Sequence, residues 1–107
     1  MIEIRFGNLS FEKGISLPEN GSISVDLSGH AEWGAKGTDI VCAAASVLAH
    51  TLVVSVHRST GLVRDLKDSE GNLSVTIDCP GRNNPARETL RAMIEFFFTG
   101  MAELASQ

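Results

Sequence analysis

The chain is short of basic residues, of cysteine, of proline and of long apolar stretches, and each shortage excludes a class of protein. Lys and Arg number 9 against 13 Asp and Glu, a net charge of −4 over 107 residues. A protein that grips nucleic acid by neutralising phosphates needs a basic face, so direct nucleic-acid binding of that kind is set aside. A protein partner that is itself basic remains compatible with the charge. No apolar run nears the roughly 18 residues that span a bilayer, so no membrane partner is expected. The opening Met1-Ile2-Glu3-Ile4-Arg5-Phe6 reads as a strand rather than as a charged segment followed by an apolar leader. The expected location is the cytoplasm. The only two cysteines, Cys42 and Cys79, are expected to be free thiols in that reducing compartment. No Cys-x-x-Cys is present, which removes a structural zinc site, and no metal or other cofactor is expected. With no repeat, low-complexity run or Pro-rich linker to divide it, the sequence reads as one domain over 1–107. Hydrophobic residues make up 43%, enough for a core without disulfide or metal support.

Strict alternation marks three strands. Ile2, Ile4 and Phe6 alternate with Glu3 and Arg5; Ile23, Val25 and Leu27 with Ser24, Asp26 and Ser28; Leu73, Val75 and Ile77 with Ser74, Thr76 and Asp78. Strands with one apolar and one polar face build a sheet covered on one side, which favours antiparallel pairing. A weaker strand is expected over 62–66, joined to the next by a turn at Asp68-Ser69-Glu70-Gly71-Asn72. One helix is expected from Thr38 or Asp39 to about His57, with Ala43-Ala44-Ala45 slim enough for a neighbour to approach. A second is expected after Asn84-Pro85, an N-cap followed by proline at the first helical position. On it, Leu90, Met93, Ile94, Phe97, Met101 and Leu104 keep the helical period, whereas Phe96 and Phe98 fall off the stripe and either widen the core face or meet another subunit. The expected fold is therefore α+β: a two-layer α/β sandwich in ββαββα order, with a mostly antiparallel four-stranded sheet and two helices on one face. The stretch 7–21 carries no pattern that bounds an element.

The segment Gly29 to Ser46 carries the chemistry. His30 lies just past a strand, Cys42 near the start of a helix, and a glycine-punctuated loop joins them. A thiolate is the attacking form of cysteine, and unpaired N–H groups at a helix N-terminus favour it. A nearby imidazole can take the thiol proton, which completes the minimum apparatus for nucleophilic cysteine catalysis. Taken alone, a cysteine between Val41 and Ala43 is more often an inert core thiol. Cys79, before Pro80, has neither a helix N-terminus nor a neighbouring histidine and reads as structural. Asp39 is either a first-turn acid complementing the helix dipole or a group that orients His30 or a loop amide. Ser46, one turn after Cys42 on the same face, either fills a tight contact or hydrogen-bonds near the thiolate. His50 and His57, seven apart, are spaced too widely for a helical chelating pair and read as surface or partly buried residues. Asp65, Asp68 and Glu70 read as a soluble hairpin tip. A phosphate loop is the competing use of Gly29, Gly34, Gly37, Lys36 and Thr38, but Lys36 is followed by Gly37 rather than Ser or Thr, so the pattern fails.

Gly29-His30-Ala31, followed by Gly37-x-Asp39-Ile40-Val41-Cys42-Ala43-Ala44-x-Ser46, resembles the signature of the ribosomal-processing cysteine proteases, the Prp family, with its spacing of twelve from His30 to Cys42. This resemblance outweighs the inert reading of Cys42. It implies a small α/β domain that forms homodimers and removes a short N-terminal extension from bacterial large-subunit ribosomal protein twenty-seven during ribosome assembly. It implies Cys42 as nucleophile and His30 as general base, with Asp39 and Ser46 in supporting positions. It also implies that Gly29, Ala31, Glu32, Trp33, Gly34, Ala35, Lys36 and Gly37 form a substrate loop, with the glycines as hinges. A non-catalytic ribosome-associated binding module on the same fold is the alternative. The two differ at the thiol: a protease requires a Cys42 alkylated rapidly at neutral pH in a His30-dependent way, and a binding module an ordinary thiol.

Overall fold

The computed structural model describes residues 3–12, 14–28, 38–69 and 72–106, with the backbone alone at 38–40 and 42. In chain order the elements are β1 (Glu3–Gly7), β2 (Ser22–Ser28), α1 (Thr38–Thr60), β3 (Val63–Ser69), β4 (Asn72–Asp78) and α2 (Ala86–Ala105). The strands form one sheet in the order β1-β2-β4-β3, and every pairing is antiparallel. The α+β architecture expected from the alternation is thus present.

Alternation decides the register. Phe6 stands opposite Val25 and Val25 opposite Val75, so the apolar residues of three strands share one face. On it Ile23, Val25, Leu73, Val75 and Ile77 are buried. The opposite face carries Asp26 and Ser74, which are register partners and hydrogen-bonded through their side chains. The polar row therefore satisfies itself across the strands instead of being forced inward.

Both helices cover the apolar face. From α1, Ala45, Ala49, Leu52, Val53 and Val56 enter the core; from α2, Leu90, Ile94, Phe97 and Met101. Each set follows the three- and four-residue spacing of one helical stripe. Of the slim run 43–45, Ala45 faces inward and Ala43 outward. The two helices also pack on each other, and Gly100 is part of the reason: a Cβ there would sit 3.3 Å from the Leu48 side chain.

The helix ends follow their sequence signals, with one extension. Pro85 already has helical dihedrals (φ −60°, ψ −23°), and Asn84 Oδ1 accepts the Ala86 N–H at 2.9 Å, so asparagine and proline play the cap and first-turn roles assigned to them. Helix α1 runs past the expected end near His57 to Thr60. There Gly61, at φ +67°, donates its N–H to the His57 carbonyl at 3.0 Å, a left-handed stop that glycine adopts without strain. Strand β3 extends to Ser69, three residues beyond expectation, because β4 offers backbone partners as far as the Ser69–Asn72 pair. The turn expected over 68–72 is correspondingly shorter: Asp68, Ser69 and Asn72 belong to strands, while Glu70 and Gly71 lie outside the described residues.

Between β1 and β2, the unpatterned stretch folds back on itself. Ser10 and Ser16 exchange backbone hydrogen bonds of 3.2 and 2.9 Å, and Ile15 and Leu17 reach the core. The Arg87 guanidinium fastens this stretch to α2 by donating to the Leu17, Pro18 and Pro80 carbonyls at 2.8–3.0 Å. At the edge of the core, Phe98 packs on Phe11 (ring centroids 5.0 Å) and Phe6 (6.0 Å). Phe98 thus widens the core, whereas Phe96 points to solvent, 76% exposed.

Candidate active site

Strand β2 ends at Ser28 and α1 begins at Thr38, so the segment that carries the signature connects the two central secondary-structure layers. Thr38 and Asp39 open the helix, as their N-terminal preference requires. The Cys42 backbone stands one turn inside α1. The four N–H groups at such an end lack intrahelical partners, and the partial positive charge they carry falls off within the first turn. Residue 42 is the fifth residue of α1, at the inner boundary of that first turn. His30 and the loop residues Gly29, Ala31, Glu32, Trp33, Gly34, Ala35, Lys36 and Gly37 lie outside the described residues, as do the side chains of Asp39 and Cys42.

Ser46 is the signature residue whose side chain is described. It is half-buried, and its Oγ lies 3.3 Å from His50 Nδ1. The same Nδ1 lies 2.8 Å from the Ser46 carbonyl, and His50 Nε2 lies 2.8 Å from Asp68 Oδ2. Both His50 and Asp68 side chains are about half exposed. The Asp68 carboxylate, followed by the Ser46 carbonyl, raises the His50 pKa above its ordinary value, and slight burial opposes this only in part. Sequence spacing suggests the Ser46–His50 contact, because residues four apart share a helix face. It does not suggest Asp68, which comes from β3, 18 positions further along. The hairpin-tip reading of Asp68 and the surface reading of His50 are each correct about exposure and miss the bond between them.

Cys79 matches its structural reading. It is half-buried, its N–H donates to the Gly21 carbonyl at 2.9 Å, and burial pushes its thiol pKa up, away from the reactive form. Among the described residues no group of three or more His, Cys, Asp or Glu side chains could hold a metal ion, and no helix is long and apolar enough to cross a membrane. Among the described residues, two concavities lie away from the start of α1. An apolar groove of about 570 Å³ runs between the helices, lined by Leu48, Leu52, Ala92, Met93 and Phe96 among others. A more polar cleft of about 790 Å³ lies at the start of α2, around Arg87 and the Glu19–Arg82 ion pair.

Residues 13–107 match the family model described as cysteine protease Prp. No curated protein matches the chain. Among solved structures, the crystal structure of SMU.848 from Streptococcus mutans is similar, at 31% sequence identity and a TM-score of 0.65, covering 99% of this chain and 84% of that one.

Proposed function

Because this chain belongs to the Prp family of cysteine proteases, we propose that it is an endopeptidase of the bacterial cytoplasm acting through a Cys42–His30 pair. The substrate is large-subunit ribosomal protein twenty-seven, whose N-terminal extension it removes during ribosome assembly. The observation that carries this reading is the family match over 13–107, which includes His30, Asp39, Cys42 and Ser46. The residue-42 backbone, one turn from the N-terminus of α1, supports it, since a thiolate is favoured near such an end. The net charge of −4 suits a basic ribosomal protein as partner.

In the proposed reaction His30 takes the proton of the Cys42 thiol. The thiolate adds to the scissile carbonyl carbon, and the electron pair of the C=O bond moves onto oxygen. Backbone N–H groups at the start of α1 stabilise that oxyanion, a role worth about 3 kcal/mol per donor in well-formed sites. Collapse breaks the C–N bond, and His30 returns its proton to the leaving amine. Water, deprotonated by His30, then adds to the thioester; the acid departs and the thiol reforms. Asp39 and Ser46 support the pair, and the loop 29–37 closes over the substrate. No cofactor enters any step. The working unit is a homodimer. The exposed Phe96 side chain, which lines the interhelical groove, offers a second copy an apolar surface.

The test is cleavage of a ribosomal protein carrying its extension. Cys42→Ala and His30→Ala should each abolish it, while Cys79→Ser should leave it intact. Cleavage by folded Cys42→Ala protein would refute the reading.

A further inference from the structure

Ser46, His50 and Asp68 form a serine–histidine–aspartate row on the outer side of α1, and its atoms dictate what it does. His50 Nδ1 lies 2.8 Å from the Ser46 carbonyl, and Nε2 lies 2.8 Å from the Asp68 carboxylate. Neither acceptor has a hydrogen to offer, so the ring satisfies both only when both nitrogens carry a proton. In that doubly protonated form the ring cannot serve as a base toward Ser46. The nitrogen that faces the hydroxyl, at 3.3 Å, donates to a carbonyl and has no lone pair to accept the serine proton. While the ring is charged, Ser46 Oγ can only accept from it. The hydroxyl hydrogen must then point away from His50, and in a helix that direction favours the preceding turn, where residue 42 stands.

We propose that His50 is a positioning residue that, clamped between Asp68 of β3 and the Ser46 carbonyl, aims the Ser46 hydroxyl at the Cys42 turn and releases it on deprotonation. This rests on the reading of Cys42 as nucleophile. When His50 loses a proton to solvent, the remaining one stays on Nε2 beside the carboxylate. Nδ1 then becomes an acceptor, and the Ser46 hydroxyl turns round to donate to it. Among the described residues Asp68, from β3, is the charged group that acts on the ring. Its neighbours on α1, Ser46, Val47, Val53 and Val54, carry no charge. The raised pKa of His50 is what an acceptor at each nitrogen produces.

The test measures site-resolved alkylation of Cys42 and Cys79 from pH 5.5 to 9.5, alongside an NMR titration of the His50 ring, in the full chain and in His50→Gln and Asp68→Asn. In the unaltered protein the Cys42 rate should follow three ionisations, its own, that of His30 and the one NMR assigns to His50. His50→Gln should remove the last and change the rate below pH 7 by about two- to five-fold, the scale of an exposed pair. Asp68→Asn should move the His50 titration to lower pH and carry the Cys42 inflection with it. Cys79 should respond to neither substitution. A Cys42 profile unchanged in both variants, or a His50 titration unchanged by Asp68→Asn, overturns the proposal. A Cys42 no faster than Cys79 at every pH overturns instead the protease reading on which the proposal rests.

Discussion

Three consecutive phenylalanines on α2 occupy three environments, and substituting each by alanine should separate them energetically. Phe97 is 2% exposed and lies in the core, with the Phe6 ring 6.1 Å away in an edge-on arrangement. Removing it gives up nearly a full phenyl transfer term and leaves a cavity that α1 and the sheet can fill only in part, at a cost of about 3–5 kcal/mol. Phe98 is 39% exposed but contacts two rings. Partial burial plus aromatic pairing puts its loss at about 2 kcal/mol. Phe96, 76% exposed, should cost within about 0.5 kcal/mol in the monomer. A domain of this size holds roughly 5–15 kcal/mol in total, so Phe97→Ala alone removes a large part of the margin. The assay is urea denaturation followed by circular dichroism, repeated over a hundredfold range of protein concentration. If Phe96 meets a second copy, Phe96→Ala should reduce the concentration dependence of the midpoint without changing its low-concentration limit. Equal losses for Phe96→Ala and Phe97→Ala at low concentration would refute this account of the packing.

The His50–Asp68 pair should make stability pH-dependent with a definite sign. Because the folded pKa of His50 is raised above its ordinary 6.5, its contribution is complete below the unfolded value and fades as pH rises through the folded one. Both groups are about half exposed, so the effect stays below about 1 kcal/mol, shrinks with added salt and falls in Asp68→Asn to what the Ser46 carbonyl sustains; chemical denaturation at pH 5.5 and 8.5 measures it. Arg87→Met should cost about 1.5–3 kcal/mol, because the charged donors to the Leu17, Pro18 and Pro80 carbonyls are lost. Faster amide exchange over 15–17 than over β2 should report that release.

Much of this protein was legible in one dimension. The alternation in β2 and β4 fixed which side chains face the helices, because a strand has period two whatever surrounds it. The stripe Leu90–Ile94–Phe97–Met101 and the Asn84-Pro85 start defined α2 through local rules alone. The signature from Gly29 to Ser46 identified the family, since it is a contiguous run with fixed spacing. Tertiary structure decided what depends on partners far along the chain. Strand β3 is nearly all exposed and has no apolar pattern of its own; its length comes from the backbone groups β4 presents. The stretch 7–21 has no periodicity, yet Ile15 and Leu17 are buried, and Arg87, some 70 positions away, holds the Leu17 and Pro18 carbonyls. Asp68 becomes the partner of His50 only because the antiparallel return of β3 brings its far end alongside α1. Local patterns record the conformation a segment prefers, whereas a contact across the fold depends on where every intervening element has turned.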